Sequence, residues 1–234
     1  MVEIKGFIEN TLLDYPGKIA STIFFGGCNF RCPFCHNPAL VLHPDTEQTL
    51  PTEEILETLA SPLMKKWVDG ICLTGGEPTL QADLEEFCAQ LKNLGYLVKL
   101  DTNGTNPQVL EKLFSKKLVD YVAMDIKAPL EKYDAVCGAK VDKKAIQKSV
   151  DLIRASGIDY EFRTTAVPGL FSKEDALEIG KWLSGSKKFF LQQFRGINTL
   201  DSAYAGKAGF THKELNGFAE MLKPFFGRVG VRGA

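Results

Sequence analysis

Three cysteines of this 234-residue chain lie close enough together to bind one inorganic group. Cys28, Cys32 and Cys35 follow the spacing C-x3-C-x2-C on one short segment. Thiolates are the usual ligands of iron–sulfur clusters, and three of them leave one iron of a four-iron cubane without a protein ligand. An open coordination position distinguishes catalytic metal sites from structural ones. The segment therefore predicts chemistry at iron as well as electron storage.

Two other interpretations of these cysteines are open. A zinc site would use His36 as its fourth ligand, but adjacent residues such as Cys35 and His36 seldom reach one metal, and no second CxxC or HxxxH pair occurs. A disulfide is disfavoured because the first ten residues do not resemble a signal peptide, and cytosolic thiols stay reduced. We expect a cytoplasmic protein.

A second group of polar residues occurs at intervals along the chain. It comprises Gly75, Gly76 and Glu77 of a Gly-Gly-Glu-Pro run, Asp101 and Asn103 of an Asp-Thr-Asn-Gly run, Asp125 and Lys127 around an isoleucine, and Arg163. Each one alone could be a solvated loop residue or, for Arg163, part of a salt bridge inside the fold. As a set they offer carboxylates for ribose hydroxyls, an acceptor for an ammonium group and a guanidinium for a carboxylate.

The elements that must position these residues alternate between strands and helices. Short apolar runs predict strands over residues 20–25, 70–74, 97–102, 121–126, 160–167 and 189–194. Helices are predicted over residues 52–67, 82–94, 107–115, 143–156, 173–184 and 212–222. Thr52, Ser172 and Thr211 are the predicted N-caps.

Six βα units predict an α/β fold, a partial TIM-type (βα)6 barrel of parallel strands with outer helices. An open doubly wound sheet is the alternative, which periodicity does not exclude. The polar residues fall at or near the carboxyl ends of the predicted strands, where parallel α/β folds place their active sites. Gln192 and Gln193 belong to the sixth strand and point to opposite faces, so one of them is expected to face the site.

Composition narrows the function classes. Hydrophobic residues make up 44% and charged residues 24%, as in ordinary globular proteins. The net charge of −1 gives no support to a nucleic-acid or anionic-membrane partner, and no run approaches the ~18 apolar residues of a membrane span. We expect one domain over residues 1–234. Cys72 and Cys88 are predicted to be small buried residues, and Cys137 to lie in a loop.

The three-cysteine loop, followed about one βα unit later by Gly75-Gly76-Glu77-Pro78, resembles the radical S-adenosylmethionine superfamily. This resemblance implies a [4Fe-4S] cluster whose open iron chelates the methionine part of S-adenosylmethionine. It also implies that Phe34 lies against the adenine and that the Gly-Gly-Glu-Pro run holds the methionine amino group.

The Asp-Thr-Asn-Gly and Asp-Ile-Lys runs resemble those of glycyl-radical-enzyme activases. This similarity implies that Asp101, Asn103, Asp125, Lys127 and Arg163 bind S-adenosylmethionine, with a monovalent cation near the two aspartates in some members. The Cys-His-Asn-Pro run resembles the activase loop, so that His36 and Asn37 either hydrogen-bond toward the cluster or only shape the loop.

Residues 4–18 resemble the opening of activating proteins of anaerobic ribonucleoside-triphosphate reductase, in the short form without a ferredoxin-like insert. The implied activity is reductive cleavage of S-adenosylmethionine to a 5′-deoxyadenosyl radical, which generates a glycyl radical on that reductase. Reduced flavodoxin or ferredoxin would supply the electron. The alternatives are an activase of the pyruvate formate-lyase type, a radical enzyme acting on a small molecule or RNA, and an iron–sulfur sensor or electron carrier.

Overall fold

The computed structural model describes residues 2–233 of the chain. Its strands are β1 Ile4–Thr11, β2 Ala20–Phe25, β3 Gly70–Gly75, β4 Leu97–Thr102, β5 Tyr121–Asp125, β6 Asp159–Ala166, β7 Ser186–Gln193 and β8 Phe226–Arg232. Its helices are α1 Pro38–Leu42, α2 Thr52–Ala60, α3 Pro62–Trp67, α4 Leu84–Asn93, α5 Pro107–Ser115, α6 Tyr133–Cys137, α7 Lys143–Ala155, α8 Lys173–Trp182 and α9 His212–Leu222.

The strands form one mostly parallel sheet in chain order, from β1 to β8. β2 pairs in parallel with β3 and β3 with β4, and β6–β7 and β7–β8 are parallel as well. β1 runs antiparallel to β2. Within residues 2–233, no helix has both the length and the apolar character needed to cross a membrane.

The chain divides into two compact units, each assembled from several segments. The first unit contains residues 2–29, 39–123 and 145–159, and the second contains residues 30–38, 124–144 and 160–233. In the first, Tyr15, Ala20, Tyr121 and Ala123 form a buried cluster. In the second, the Phe189 and Phe226 rings stack with centroids 4.8 Å apart, which packs β7 against β8.

All six predicted strands and all six predicted helical regions are confirmed, with small differences at their ends. The predicted helix over residues 52–67 is divided at Ser61, because the residue before Pro62 is driven out of helical geometry. Ser61 then caps α3 by accepting a hydrogen bond from the Met64 N–H. The predicted N-cap at Thr52 was wrong, since that position is held by Pro51. Ser172 and Thr211 both form capping boxes.

Four elements were not predicted: the edge strands β1 and β8 and the short helices α1 and α6. Only the first residue of β1 is buried, and β8 contains two glycines, so neither has a strong strand pattern. Cys137 was expected in a loop but is the last residue of α6. Because a five-residue helix shows little periodicity, its position is set by tertiary packing.

Candidate functional site

In the first unit, the turn after β3 lies directly against the start of the cysteine segment. Glu77 N donates a hydrogen bond of 2.8 Å to the Gly27 carbonyl, and Gly76 N donates to Phe25 O. A Cβ at residue 76 would lie only 1.9 Å from Gly27 O, so glycine is required there. The Gly-Gly-Glu turn therefore fixes the backbone that immediately precedes Cys28.

Glu77 is almost completely buried, with 1% of its surface exposed. Its Oε1 accepts hydrogen bonds from the Thr79 N–H, the Thr79 hydroxyl and the Thr102 hydroxyl, and its Oε2 accepts one from Asn103 N at 2.6 Å. Burial raises the pKa of Glu77, while these hydrogen bonds act in the opposite direction. The carboxylate thus joins the turn after β3 to the end of β4.

Asn103 lies beside the first cysteine of the motif. Its Nδ2 donates to Asn29 Oδ1 at 2.8 Å and lies 4.0 Å from Cys28 Sγ. Its Oδ1 accepts from the Thr105 hydroxyl at 2.7 Å. The amide that was predicted to bind S-adenosylmethionine is therefore directed toward the Cys28 sulfur.

The Asp101 carboxylate contacts side chains of both β3 and β4. The Lys99 ammonium forms an ion pair with its carboxylate, and the Thr74 hydroxyl donates to the other oxygen at 3.3 Å. Lys99 is 2% exposed, and its Nζ also lies 3.4 Å from Cys72 Sγ. Lys99 was not singled out from sequence, although its position two residues before Asp101 puts both side chains on one face of β4.

In the second unit, Cys32 and Phe34 are buried, and Cys35 is half-buried. A side-chain hydrogen bond with Cys137 is the main cause that lowers the pKa of Cys32 to about 7. Burial raises the pKa of Cys35, partly opposed by a hydrogen bond from the Asn37 backbone N–H. Cys32 is therefore the more readily ionised thiol of these two.

Asp125, at the end of β5, is paired with the two predicted cations of the second unit. Lys127 Nζ lies 3.0 Å from Asp125 Oδ2, and Arg163 Nε contacts Oδ1. Burial alone would raise the pKa of Asp125, but the charges of Arg163 and Lys127 hold it well below its usual range. Asp125 in turn raises the pKa of Lys127 despite burial. The trio carries one negative and two positive charges, which suits a carboxylate ligand.

His36 contacts the segment that follows β7. Its Nε2 lies 2.7 Å from the Arg195 carbonyl, so this nitrogen carries the proton and donates it. The ring stacks against Phe194 with centroids 6.1 Å apart. This arrangement supports a loop-positioning role for His36.

Gln192 and Gln193 of β7 lie on opposite faces of the sheet. The Gln193 amide donates to the Phe210 carbonyl, which puts this side chain on the α9 side of the sheet. Gln192 pairs in register with Thr165 and so shares the face of Arg163. On the same face, Arg232 of β8 makes a bidentate ion pair with buried Glu161, a pair that sequence inspection did not indicate.

Within residues 2–233 the side chains of His, Cys, Asp and Glu form no group of three or more that could hold a metal ion, but each predicted cysteine ligand has a hydrogen-bond donor near its sulfur. In the first unit the Asn103 amide approaches Cys28 Sγ, and in the second the Cys137 thiol and the Asn37 N–H contact Cys32 and Cys35. Hydrogen bonds to cysteine sulfurs are a principal means by which proteins adjust iron–sulfur clusters. A monovalent cation would instead compete with lysine at each of Asp101 and Asp125.

Comparisons with known proteins agree with this chemistry. A model of the radical SAM superfamily matches residues 22–183. The chain is 34% identical over 234 residues to a candidate glycyl-radical enzyme activating enzyme of Methanocaldococcus jannaschii, an alignment that covers 98% of this chain and 95% of the relative. It is 30% identical over 199 residues to a pyruvate formate-lyase-activating enzyme of Streptococcus mutans, covering 79% and 74% of the two chains.

Among solved structures, SuiB of Streptococcus suis bound to S-adenosylmethionine superposes with a TM-score of 0.68 at 15% identity. The alignment covers 88% of this chain and 48% of that one, so this chain spans about half of the neighbour's length. At this identity the similarity concerns the fold alone. Together with the observed mostly parallel α/β sheet, it confirms the predicted fold class, a partial TIM-type barrel.

Proposed function

The chain belongs to the radical SAM superfamily. Within that superfamily, we propose that it is an activase that generates a glycyl radical on anaerobic ribonucleoside-triphosphate reductase. The superfamily uses a [4Fe-4S] cluster and S-adenosylmethionine. The observation that carries the activase class is the alignment with a glycyl-radical enzyme activating relative along 98% of the chain. The choice of the reductase as partner is supported by the similarity of residues 4–18 to the opening of its activating proteins.

In this proposal Cys28, Cys32 and Cys35 bind the cluster. When bound, the cluster supplies the electron that cleaves S-adenosylmethionine and yields the 5′-deoxyadenosyl radical that takes hydrogen from the partner's glycine. The hydrogen-bond donors at the cysteine sulfurs stabilise the thiolates that ligation requires.

The proposed binding set for S-adenosylmethionine contains two cations and six further residues. Lys127 and Arg163, with one net positive charge after pairing with Asp125, hold the methionine carboxylate. The remaining residues of the binding set are Phe34, Gly75, Gly76, Glu77, Asp101 and Asn103. Since the Glu77 carboxylate accepts four hydrogen bonds inside the protein, we assign it to holding the Gly75–Gly76 backbone in place for the amino group.

An activase of the pyruvate formate-lyase type is the second candidate, favoured by the 30% identity with the Streptococcus mutans enzyme. Both candidates need the same chemistry within this chain and differ in the partner that donates the glycine hydrogen. Reduced flavodoxin or ferredoxin is the proposed electron donor in either case.

Electron paramagnetic resonance of the anaerobically reconstituted and reduced protein distinguishes these candidates. The protein would be incubated with S-adenosylmethionine and, separately, with purified anaerobic ribonucleotide reductase or pyruvate formate-lyase. A glycyl-radical doublet with the reductase, absent in Cys32→Ala, is the expected result. A doublet only with the lyase would transfer the function to the second candidate. S-adenosylmethionine cleavage without either doublet would indicate a radical enzyme with another substrate.

A further inference from the structure

Lys99 carries a buried ammonium group that the proposed mechanism does not use, although it pairs with a residue of the proposed binding set. It lies on β4 with 2% of its surface exposed, and its register partner on β3 is Cys72. Side chains two positions apart on a strand share a face, so Asp101 lies beside Lys99 on β4 and Thr74 lies beside them on β3. The four side chains form one cluster inside the first unit.

The Lys99 ammonium is directed at the Asp101 carboxylate. Its Nζ forms an ion pair with Asp101 Oδ1 and lies 3.4 Å from Cys72 Sγ. The Thr74 hydroxyl donates to Asp101 Oδ2 at 3.3 Å. Since the Asp101 side chain is only 13% exposed, both charges of the pair are largely withdrawn from water. Each group therefore compensates the lost hydration of the other.

An alkali metal ion would have to displace this ammonium to reach Asp101 Oδ1. Both cations carry one positive charge, and adjacent like charges repel strongly where water is largely excluded. The ammonium is covalently attached two residues from Asp101, so its presence at the carboxylate does not depend on the ion concentration in solution. A free ion must also give up its hydration on entering a buried place. The tethered cation therefore has the advantage.

We propose that Lys99 is a positioning residue that supplies the monovalent positive charge at the Asp101 carboxylate, so that this chain needs no alkali metal ion there. This inference rests on the proposed function, since Asp101 belongs to the binding set proposed for S-adenosylmethionine. It departs from the activase resemblance, which implies a monovalent cation near the aspartates in some members. Together with Thr74, Lys99 fixes the orientation of the carboxylate.

The test is urea unfolding of the iron-free full-length protein in potassium, ammonium or choline chloride at equal concentration. Lys99→Met removes the charge but keeps a long, flexible side chain. In this variant we expect potassium and ammonium to raise the folding equilibrium constant about tenfold over choline, as mass action gives when the ion concentration is about ten times its dissociation constant. The wild type should lack this difference, because Lys99 already occupies the position and choline is too large to enter it.

Two variants serve as controls. Lys99→Met combined with Asp101→Asn should lose the response to potassium, because no carboxylate remains to bind the ion. Lys92→Met opens an ion pair with Asp120 whose side chains are 27% and 29% exposed, so water can hydrate the carboxylate that is left and no preference for potassium is expected. If Lys99→Met does not fold, Lys99→Gln, which is also uncharged, takes its place.

A side chain that acted only through packing would leave no response to a particular ion. An uncharged variant at residue 99 that folds but is equally stable in potassium and choline would therefore overturn the inference. A wild type that responds as strongly as the variant would overturn it too, as would a response that survives in the double variant. The unfolding measurement needs neither cluster nor S-adenosylmethionine. A protein that shows the expected responses but forms no glycyl radical would refute the proposed function while leaving the role of Lys99 intact.

Discussion

At the scale of single residues, the charged groups of the candidate site are largely paired inside the protein. Glu77 accepts hydrogen bonds, Asp101 pairs with Lys99, and Asp125 pairs with Lys127. Buried carboxylates are tolerated when such partners compensate their loss of hydration. These contacts therefore fix the orientation of the three carboxylates within the protein.

We predict that Glu77→Gln lowers the free energy of unfolding of the iron-free protein by about 1–3 kcal/mol. The glutamine NH2 replaces an acceptor oxygen, so at least one of the donors from Thr79, Thr102 or Asn103 loses its partner in a buried place. Urea unfolding measures the change. The control is Glu85→Gln, which alters an exposed pair with Lys116. Unchanged stability with weakened S-adenosylmethionine binding would instead identify Glu77 as a direct ligand.

Asp125 gives a prediction about pH. Because its folded-state pKa is depressed, its ion pairs stabilise the protein above the unfolded value of about 3.9 and are lost as pH falls toward the folded value. Asp125→Asn should cost about 3 kcal/mol at pH 7, and the difference from wild type should shrink steadily below about pH 4. Urea unfolding at several pH values checks this. A difference that is constant with pH would show that the asparagine acts through packing and not through charge.

At the scale of elements, the edge strand β8 adds a charged residue to the face of the sheet that the βα units form. β8 brings Arg232 to Glu161 of β6, across the intervening β7. Arg232 also lies over the Phe190 ring, 3.7 Å from its centroid. Residues near the C-terminus thus contribute a charge pair on the face that Arg163 and Gln192 share.

Removing only Arg232 from its ion pair with Glu161 should lower the free energy of unfolding more than removing both residues. Arg232→Met takes the bidentate partner from a fully buried carboxylate and should lower unfolding free energy by about 3–5 kcal/mol. The double variant Glu161→Leu with Arg232→Met is expected to recover most of that loss, since no buried charge remains. Urea unfolding of the two variants provides the comparison. A double variant as unstable as the single one would mean that β8 depends on the ion pair itself.

At the scale of the whole molecule, the chain is a radical SAM superfamily member whose relatives include glycyl-radical enzyme activating proteins. Three cysteine ligands on a four-iron cluster leave a position for a small-molecule ligand. An electron carrier would close that position with a fourth protein ligand. In the proposed function, an open iron position is what would separate an activase from the sensor or carrier alternative.

We therefore predict that S-adenosylmethionine changes the electron paramagnetic resonance spectrum of the reduced protein. Direct coordination alters the electronic surroundings of the open iron, whereas a cluster with four protein ligands would give the same spectrum with and without it. S-adenosylhomocysteine, which lacks the sulfonium charge, serves as a comparison ligand. An unchanged spectrum from a fully loaded cluster would restore the carrier interpretation.

The sequence alone determined the order of the βα units, the three-cysteine spacing and the polar residues that follow the strands. These features are local, since hydrophobic periodicity, turn residues and short spacings are visible within a few neighbouring positions of the sequence. The same information identified His36 and Asn37 as neighbours of the cysteines, yet it did not distinguish their partners. It also left Gln192 and Gln193 equivalent.

Only the tertiary structure decided which groups meet. Glu77 contacts a residue 26 positions away and Arg232 one 71 positions away, and the Cys137 thiol reaches Cys32 from the end of a helix that has no sequence signal. Such contacts depend on strand register and on the packing of helices, which bring distant segments together without leaving a local pattern. For this reason the candidate ligand residues could be predicted from the sequence, while the side chains that contact them could not.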